Sequence, residues 1–375
     1  MHVLIAPDRF SGPSNAVQAA RLFATGWASS APGDDVHTLP MSDGSAGLLE
    51  AIGAARPGEL VPVETSDPLG GATVAAVLHV DGVGGGTAYV EADQAIGRHL
   101  VDPGDWERSV RTGTSAPLAP LLEAAASTGA GRIVVGVPGR AATHDGGRGL
   151  IEALGGIARA RQLLAGRDLV LAVADDLPLL GLHGAGAVLG EEPEIGPGLA
   201  QELERQVAGW VAQVEDHGPS GGIDLLTGSE RVTTAPPSGR APGSGAAGGV
   251  AFALRLLGGR ALPGADVVAG EIGLAGAVAG TDLILTGTAV FDAPGLTQSV
   301  VATVAHHALD RAIPVVVVAE ELRTSRREIA PLGISGAYEV RDRSRVRPTA
   351  PRPGAGELAE AVRARVARLA LTWST

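Results

Sequence analysis

Short runs of Val, Ile and Leu recur along this chain with helix-length, alanine-rich stretches between them, and this alternation restricts the fold more than any other feature. A strand covered on both faces reads as a continuous apolar run, and parallel neighbours need a helical crossover between them. Candidate strands fall at 3–6, 60–63, 132–137, 169–173, 282–286 and 314–318, with a further strand-like run at 36–39. Candidate helices fall at 15–28, 46–54, 117–127, 199–215, 246–257 and 356–371. The pattern predicts an α/β fold of mostly parallel sheets with helices on both faces. Residues 73–80 and 87–92 flank a glycine-rich turn at 82–86 and read as a hairpin, a local change that predicts a second subdomain. At 375 residues the chain has room for two or three domains.

Hydrophobic residues make up 45% of the chain and aromatics only 3%, so the interior must be aliphatic. The 55 Gly and 25 Pro lie between strong apolar segments, which predicts many tight loops rather than a disordered tract. A net charge of -12 argues against nucleic-acid and anionic-membrane partners, since both need clustered positive charge. Residues 323–352 carry eight arginines, but acidic residues interleave them and no aromatic platform accompanies them, so they read as solvated surface. The absence of cysteine removes disulfides, thiolate chemistry and cysteine metal sites together. The opening apolar run is too short for a signal peptide or membrane span, and a cytoplasmic location is expected.

Every basic side chain other than histidine is arginine, because the chain contains no lysine. There is consequently no Walker A motif. GSGAAG at 243–248 fits the dinucleotide fingerprint, but a proline-rich segment at 233–242, read as a hinge, precedes it where a strand is required. GPSGG at 218–222 fits a nucleophile elbow centred on Ser220, yet it follows a helical stretch, so Ser220 reads as a turn residue. The nine histidines show no HExxH spacing.

What remains is a set of glycine-rich loops that open helices, where free backbone N–H groups and the helix dipole favour phosphate or carboxylate. Gly243, Ser244, Gly245, Gly248 and Gly249 form one such loop, and close helix packing explains the same glycines equally well. Asp8 directly follows the first candidate strand, Asp43 follows the strand-like run at 36–39, and Asp145 follows the strand at 132–137. Ligands in doubly wound sheets gather at the carboxyl ends of strands, so the three aspartates are candidates for one site. They can position Mg²⁺ or accept a proton from a substrate hydroxyl; each can also serve only as a cap or turn former. His144, beside Asp145, is either an acid or base of a cleft or a hydrogen-bonded structural residue.

In order and spacing, these loops and their neighbours resemble the type I glycerate kinase family in its actinobacterial branch. The matching segments are APDRFSG (6–12), SDGSAG (42–47), DPLG (67–70), EADQAIG (91–97), ATHDGG (142–147), PLLG (178–181), PGSGAAGG (242–249) and TDLILTG (281–287). The resemblance implies two α/β domains around a cleft, residues 1–65 with 243–375 from both chain ends and an inserted 66–242. It implies phosphate transfer from Mg-ATP to a hydroxyl of D-glycerate or a related small hydroxy acid. On this reading Asp8, Asp43, Asp145 and His144 are catalytic, with Asp43 and Asp145 holding Mg²⁺. Arg9, Ser11, Arg140, Asp292 and the 243–249 loop then contact substrate or phosphate.

The departures from the family pattern fall on charged positions. Arg9 stands where the family has Ser, Ser11 where it has Lys, Ala46 where it has Glu, and His144 where it has Asn. Thr288 to Asp292 lacks the family's Glu and Arg, and Asp292 alone survives of that charged set. Two readings therefore stay open: an ATP-dependent kinase, or a scaffold repurposed to bind a small carboxylate or do other chemistry. Amphipathic helices at 199–215 and 356–371 can serve a homodimer interface or face the core.

Overall fold

The computed structural model describes residues 1–11, 15–214, 238–341 and 354–374. Ser220, the segment up to 237 and the later arginines of the 323–352 stretch lie outside the described residues. Eleven strands run in chain order: β1 His2–Ile5, β2 Asp35–Thr38, β3 Glu59–Ser66, β4 Ala72–Val80, β5 Thr87–Glu91, β6 Arg132–Val137, β7 Asp168–Val173, β8 Arg260–Pro263, β9 Leu283–Phe291, β10 Val315–Leu322 and β11 Ile334–Glu339. They form a five-stranded sheet, ordered β11-β10-β9-β1-β2, and a six-stranded sheet, ordered β3 through β8 in sequence.

Residues 1–43, 50–57 and 265–375 cluster as one compact unit, and 44–49 with 58–264 as another. The expected boundaries were 65/66 and 242/243. Residues 58–65 belong with the second unit because β3 pairs antiparallel with β4 along its whole length. Residues 243–264 belong there too, because β8 pairs with β7.

The first unit is built on the five-stranded sheet, whose pairings are all parallel. From β1 the chain winds one way to β2, and from β9 it winds the other way to β10 and β11, so the topological switch point lies between β1 and β9. The helix Ala16–Ser30 buries Ala16, Ala19, Ala20, Phe23 and Trp27 at helical spacing, and Asn15 caps it by accepting from Gln18 N at 2.9 Å. It packs on the helix Ala355–Trp373 so closely that a Cβ at Gly26 would sit 2.7 Å from the Arg363 carbonyl oxygen. These two helices and one face of the sheet share a core in which Val3, Ile5, Leu283, Leu285, Val316 and Val318 pack with Phe10, Phe23 and Trp27.

In the second unit β4 and β5 form the expected hairpin, and β5, β6, β7 and β8 continue as a parallel sheet. Its central strands are buried almost throughout, which is why β6 and β7 read as unbroken apolar runs. The helix Ala119–Ser127 covers the sheet with Leu121, Leu122 and Ala125. The helix expected at 246–257 begins late: Ala247 and Gly248 take left-handed backbone angles (φ 51° and 62°), and the regular helix spans Val250–Leu256. A Cβ on Gly248 would lie 2.1 Å from the carbonyl oxygen of Thr143, so only glycine fits there.

Candidate active site

In the first unit, Asp8 lies just past β1 at the switch point, fixed by its backbone N–H donating to Gly287 O of β9 at 2.8 Å. The segment that follows β2, parallel to β1, runs beside it: Leu39 N donates to Ile5 O at 2.8 Å and Met41 N to Pro7 O at 2.9 Å, which brings residues 42–43 alongside. Asp8 is half-buried, and its carboxyl pKa is pushed up to about 8, first by desolvation and then by the charge of Asp43; the Arg9 N–H, donating to Oδ1 at 2.7 Å, and the Arg9 charge offset part of this. Two of the expected residues, Asp8 and Asp43, are thus brought together.

Arg9 and Ser11 are exposed beside this pair, and Ser11 N donates to Glu320 at the end of β10. Asp292 follows β9 at the same carboxyl edge. Its Oδ1 accepts from Gly295 N, three residues on, at 3.2 Å, and it adds to the field that raises the Arg323 pKa after the larger effect of Glu321. This edge therefore gathers Asp8, Asp43, Asp292, Glu320 and Glu321 with Arg9 and Arg323.

The second unit treats its aspartate differently. Asp145 Oδ2 accepts from Ser115 N and Ser115 Oγ, both at 2.8 Å, and from Gly149 N at 3.1 Å, while Oδ1 accepts from Gly147 N at 2.9 Å. Those bonds make it an anchor for the turn into the helix Arg148–Ala153, the cap or turn role that stood as the alternative to holding a metal. Its neighbour His144 is buried (6% exposed), and desolvation lowers its pKa to about 4 against a smaller opposing pull from Glu204. At neutral pH His144 is therefore uncharged.

The glycine loop is also spoken for. Gly243 N donates to Asp176 O at 2.7 Å, Gly245 N to Leu177 O at 2.8 Å, Ala247 N to Pro138 O at 2.8 Å and Gly249 N to Gly245 O at 3.2 Å. Ser244, fully buried, accepts from Leu179 N and donates to Gly239 O. These bonds favour close packing, the second of the two explanations the glycines allowed. Arg140 pairs with Glu192 at 2.9 Å, so its expected contact with substrate begins from an occupied guanidinium.

Several residues went unnoticed in the sequence. Glu91, at the end of β5, is buried and accepts from Gly47 N and Leu49 N, anchoring the start of the helix Leu48–Ala55. Glu192 accepts from Trp106 Nε1 at 2.7 Å and also pairs with Arg98 at 3.1 Å. Nothing in the local sequence marks Glu192, but in a chain so poor in aromatics Trp106 was itself a signal. Among the described residues no group of three His, Asp or Glu side chains could hold a metal ion, and no helix is long and apolar enough to cross a membrane.

Fold and site together define a two-unit α/β protein that crowds carboxylates at the switch point of a parallel sheet. The sequence matches the glycerate kinase family over residues 3–163 and 156–371, and the chain belongs to that family. It is 35% identical over 340 residues to an uncharacterized protein of Mycobacterium bovis, covering 91% of this chain and 84% of that one. It is 29% identical over 365 residues to the glycerate kinase of Bacillus subtilis, covering 91% and 90%. The crystal structure of a protein assigned as glycerate kinase 2 from Salmonella typhimurium LT2 superposes with a TM-score of 0.73 at 24% identity, covering 100% of this chain and 98% of that one. That likeness confirms the α/β fold.

Proposed function

We propose that this chain is a kinase that transfers the terminal phosphoryl group of ATP to a hydroxyl of D-glycerate or a related small hydroxy acid. The observation that carries this reading is the Asp8–Asp43 pair at the switch point, in a chain of the glycerate kinase family. The substrate oxygen forms the new P–O bond, the bond from the terminal phosphorus to the bridging oxygen breaks, ADP leaves, and the hydroxyl proton passes to Asp8. Asp8 accepts that proton in its ionised form, which burial and a like charge make more basic than a free carboxylate and which is the minor form of the free protein until the pH reaches about 8.

Asp43 is the residue that would hold Mg²⁺ beside Asp8. The donor set fits: two adjacent carboxylates supply hard oxygen ligands, and Mg²⁺ in such sites takes its remaining ligands from phosphates and water. When bound, the ion neutralises charge on the phosphates and on the carboxylate pair. With no lysine in the chain, the permanently charged side-chain cations are all arginines, and Arg9, exposed next to Asp8, is the nearest in sequence.

The test is a coupled ADP-release assay on the purified chain with Mg-ATP and D-glycerate, with the product followed by phosphorus NMR. ADP formed in proportion to glycerate supports the reading. Absence of any calorimetric signal with Mg-ATP overturns it and returns the chain to the repurposed-scaffold alternative.

A further inference from the structure

Residues 8–11 leave β1 at the switch point without regular secondary structure, and three neighbours in the first unit fix their course. At the start, the Asp8 N–H donates to Gly287 O of β9 at 2.8 Å. In the middle, Phe10 turns into the core (4% exposed) and meets Phe23 edge-on, with ring centroids 5.8 Å apart. The strand beneath leaves room for it: a Cβ on Gly287 would lie 2.6 Å from Val318 O and 3.0 Å from the Phe10 ring. At the far end, the Ser11 N–H donates to the Glu320 carboxylate of β10. With Phe10 directed inward, Arg9 and Ser11 on either side of it are exposed.

Glu320 is half-buried and, among the described residues, joins no ion pair, so its charge rests on this one backbone donor. Negative charge is unfavourable at an edge that receives phosphate. What Glu320 contributes there is an acceptor oxygen, and glutamine offers the same oxygen without the charge. The side chain with most to gain from a fixed backbone is Arg9. Its charge already reaches the Asp8 carboxyl, whose pKa desolvation and Asp43 raise and Arg9 partly draws back. A guanidinium stabilises a transferring phosphoryl group only from a held position, and a misplacement of about 1 Å can cost about 100-fold in rate.

We infer that Glu320 is a positioning residue: by holding the Ser11 N–H it sets the course of residues 8–11, and with it the place from which Arg9 meets the transferring phosphoryl group. This rests on the kinase reading above.

The test measures kcat, KM and melting temperature for variants of the full chain with Mg-ATP and D-glycerate. Arg9→Ala is expected to lower kcat about 100-fold with KM within about threefold of the parent, the mark of an interaction made in the transition state. Glu320→Ala is expected to lower kcat about tenfold, again with little change in KM, and Glu320→Gln to recover most of that loss. Glu320→Asp, which draws the oxygen back by one methylene, serves should the Ala variant not fold. In the Arg9→Ala background, Glu320→Ala is expected to cost no more than about twofold further, because the side chain it places is gone. A mere loosening of the fold would instead lower kcat by the same factor with or without Arg9, and that result overturns the inference. So does a Glu320→Ala enzyme as fast as the parent, or a Glu320→Gln enzyme as slow as Glu320→Ala; in each of these cases the kinase reading stands. If the parent releases no ADP with D-glycerate, both fail.

Discussion

The two units set an aspartate in the same place, in the loop just beyond a buried parallel strand, and use it in opposite ways. Asp145 of the six-stranded sheet accepts hydrogen bonds from Ser115, Gly147 and Gly149, and its pairing capacity is spent on holding a turn. Asp8 of the five-stranded sheet receives the N–H of Arg9, is partly withdrawn from water and faces the charge of Asp43, so its pKa is raised to about 8. Position in the fold brings a carboxylate to the ligand-binding edge; the number of donors aimed at it decides whether it anchors the chain or meets a ligand.

The sharpest way to break that contrast is to neutralise both residues and read two quantities for each. Asp8→Asn should lower kcat/KM for glycerate by about 1000-fold, the scale of a lost general base with its partner electrostatics. It should leave the protein at least as stable. A raised carboxyl pKa means the folded state holds its proton better than the unfolded chain, so stability declines as pH rises from about 4 to about 8, and Asn removes that decline. Melting curves of parent and variant at pH 5 and pH 8 check this: the variant should gain at pH 8 relative to the parent. Asp145→Ala should reverse the pattern, costing about 3 kcal/mol of stability by stranding buried donors. If Asp145→Ala instead folds normally and loses only turnover, the comparison is wrong.

Much of the scaffold was legible because its signals are local. β6 and β7 are continuous apolar runs, and the β4–β5 hairpin announced itself through alternation around Gly82 to Gly86. β8 and β11 were missed: the first is a four-residue edge strand with exposed positions, and the second is interrupted by Ser335 and Gly336. The site was legible only in part. Asp8 and Asp43 follow strands that neighbour one another, so adjacency in the sheet turns into adjacency of side chains. At the glycine loop 243–249 the sequence shows glycines but not which carbonyls lie opposite their N–H groups; Pro138 comes from the stretch after β6, and Asp176 and Leu177 from the stretch after β7. Glu91 and Gln94 sit in one family-like segment, yet both work on backbone: Glu91 holds the 47–49 turn, and Gln94 bonds both the N–H and the carbonyl of Ala76.

His144 offers a finer probe of the second unit. Its pKa lies near 4 when folded and near 6.5 when unfolded, so above pH 6.5 the residue is neutral in both states and has no effect on the pH dependence. Below pH 6.5 the unfolded chain takes up a proton that the folded state refuses until about pH 4. Stability should therefore fall across that window by up to about 3 kcal/mol, and His144→Phe should flatten the slope. Urea midpoints at pH 6.5 and pH 4.5 measure it; an unchanged slope in the variant would assign the acid sensitivity to other groups.

The smallest expected effect belongs to Ser244, in the loop that looked most like a phosphate cradle. Its hydroxyl bridges Leu179 N at 2.9 Å and Gly239 O at 3.0 Å, with no exposure to solvent. Ser244→Ala removes one oxygen, leaves one buried donor and one buried acceptor less well paired, and should cost about 1 to 2 kcal/mol of stability. Because that oxygen faces protein backbone on both sides, KM for ATP should stay within about twofold of the parent. A KM increase of tenfold or more with unchanged stability would put the loop back on the ligand and make the two units alike in exposing, rather than consuming, their polar groups.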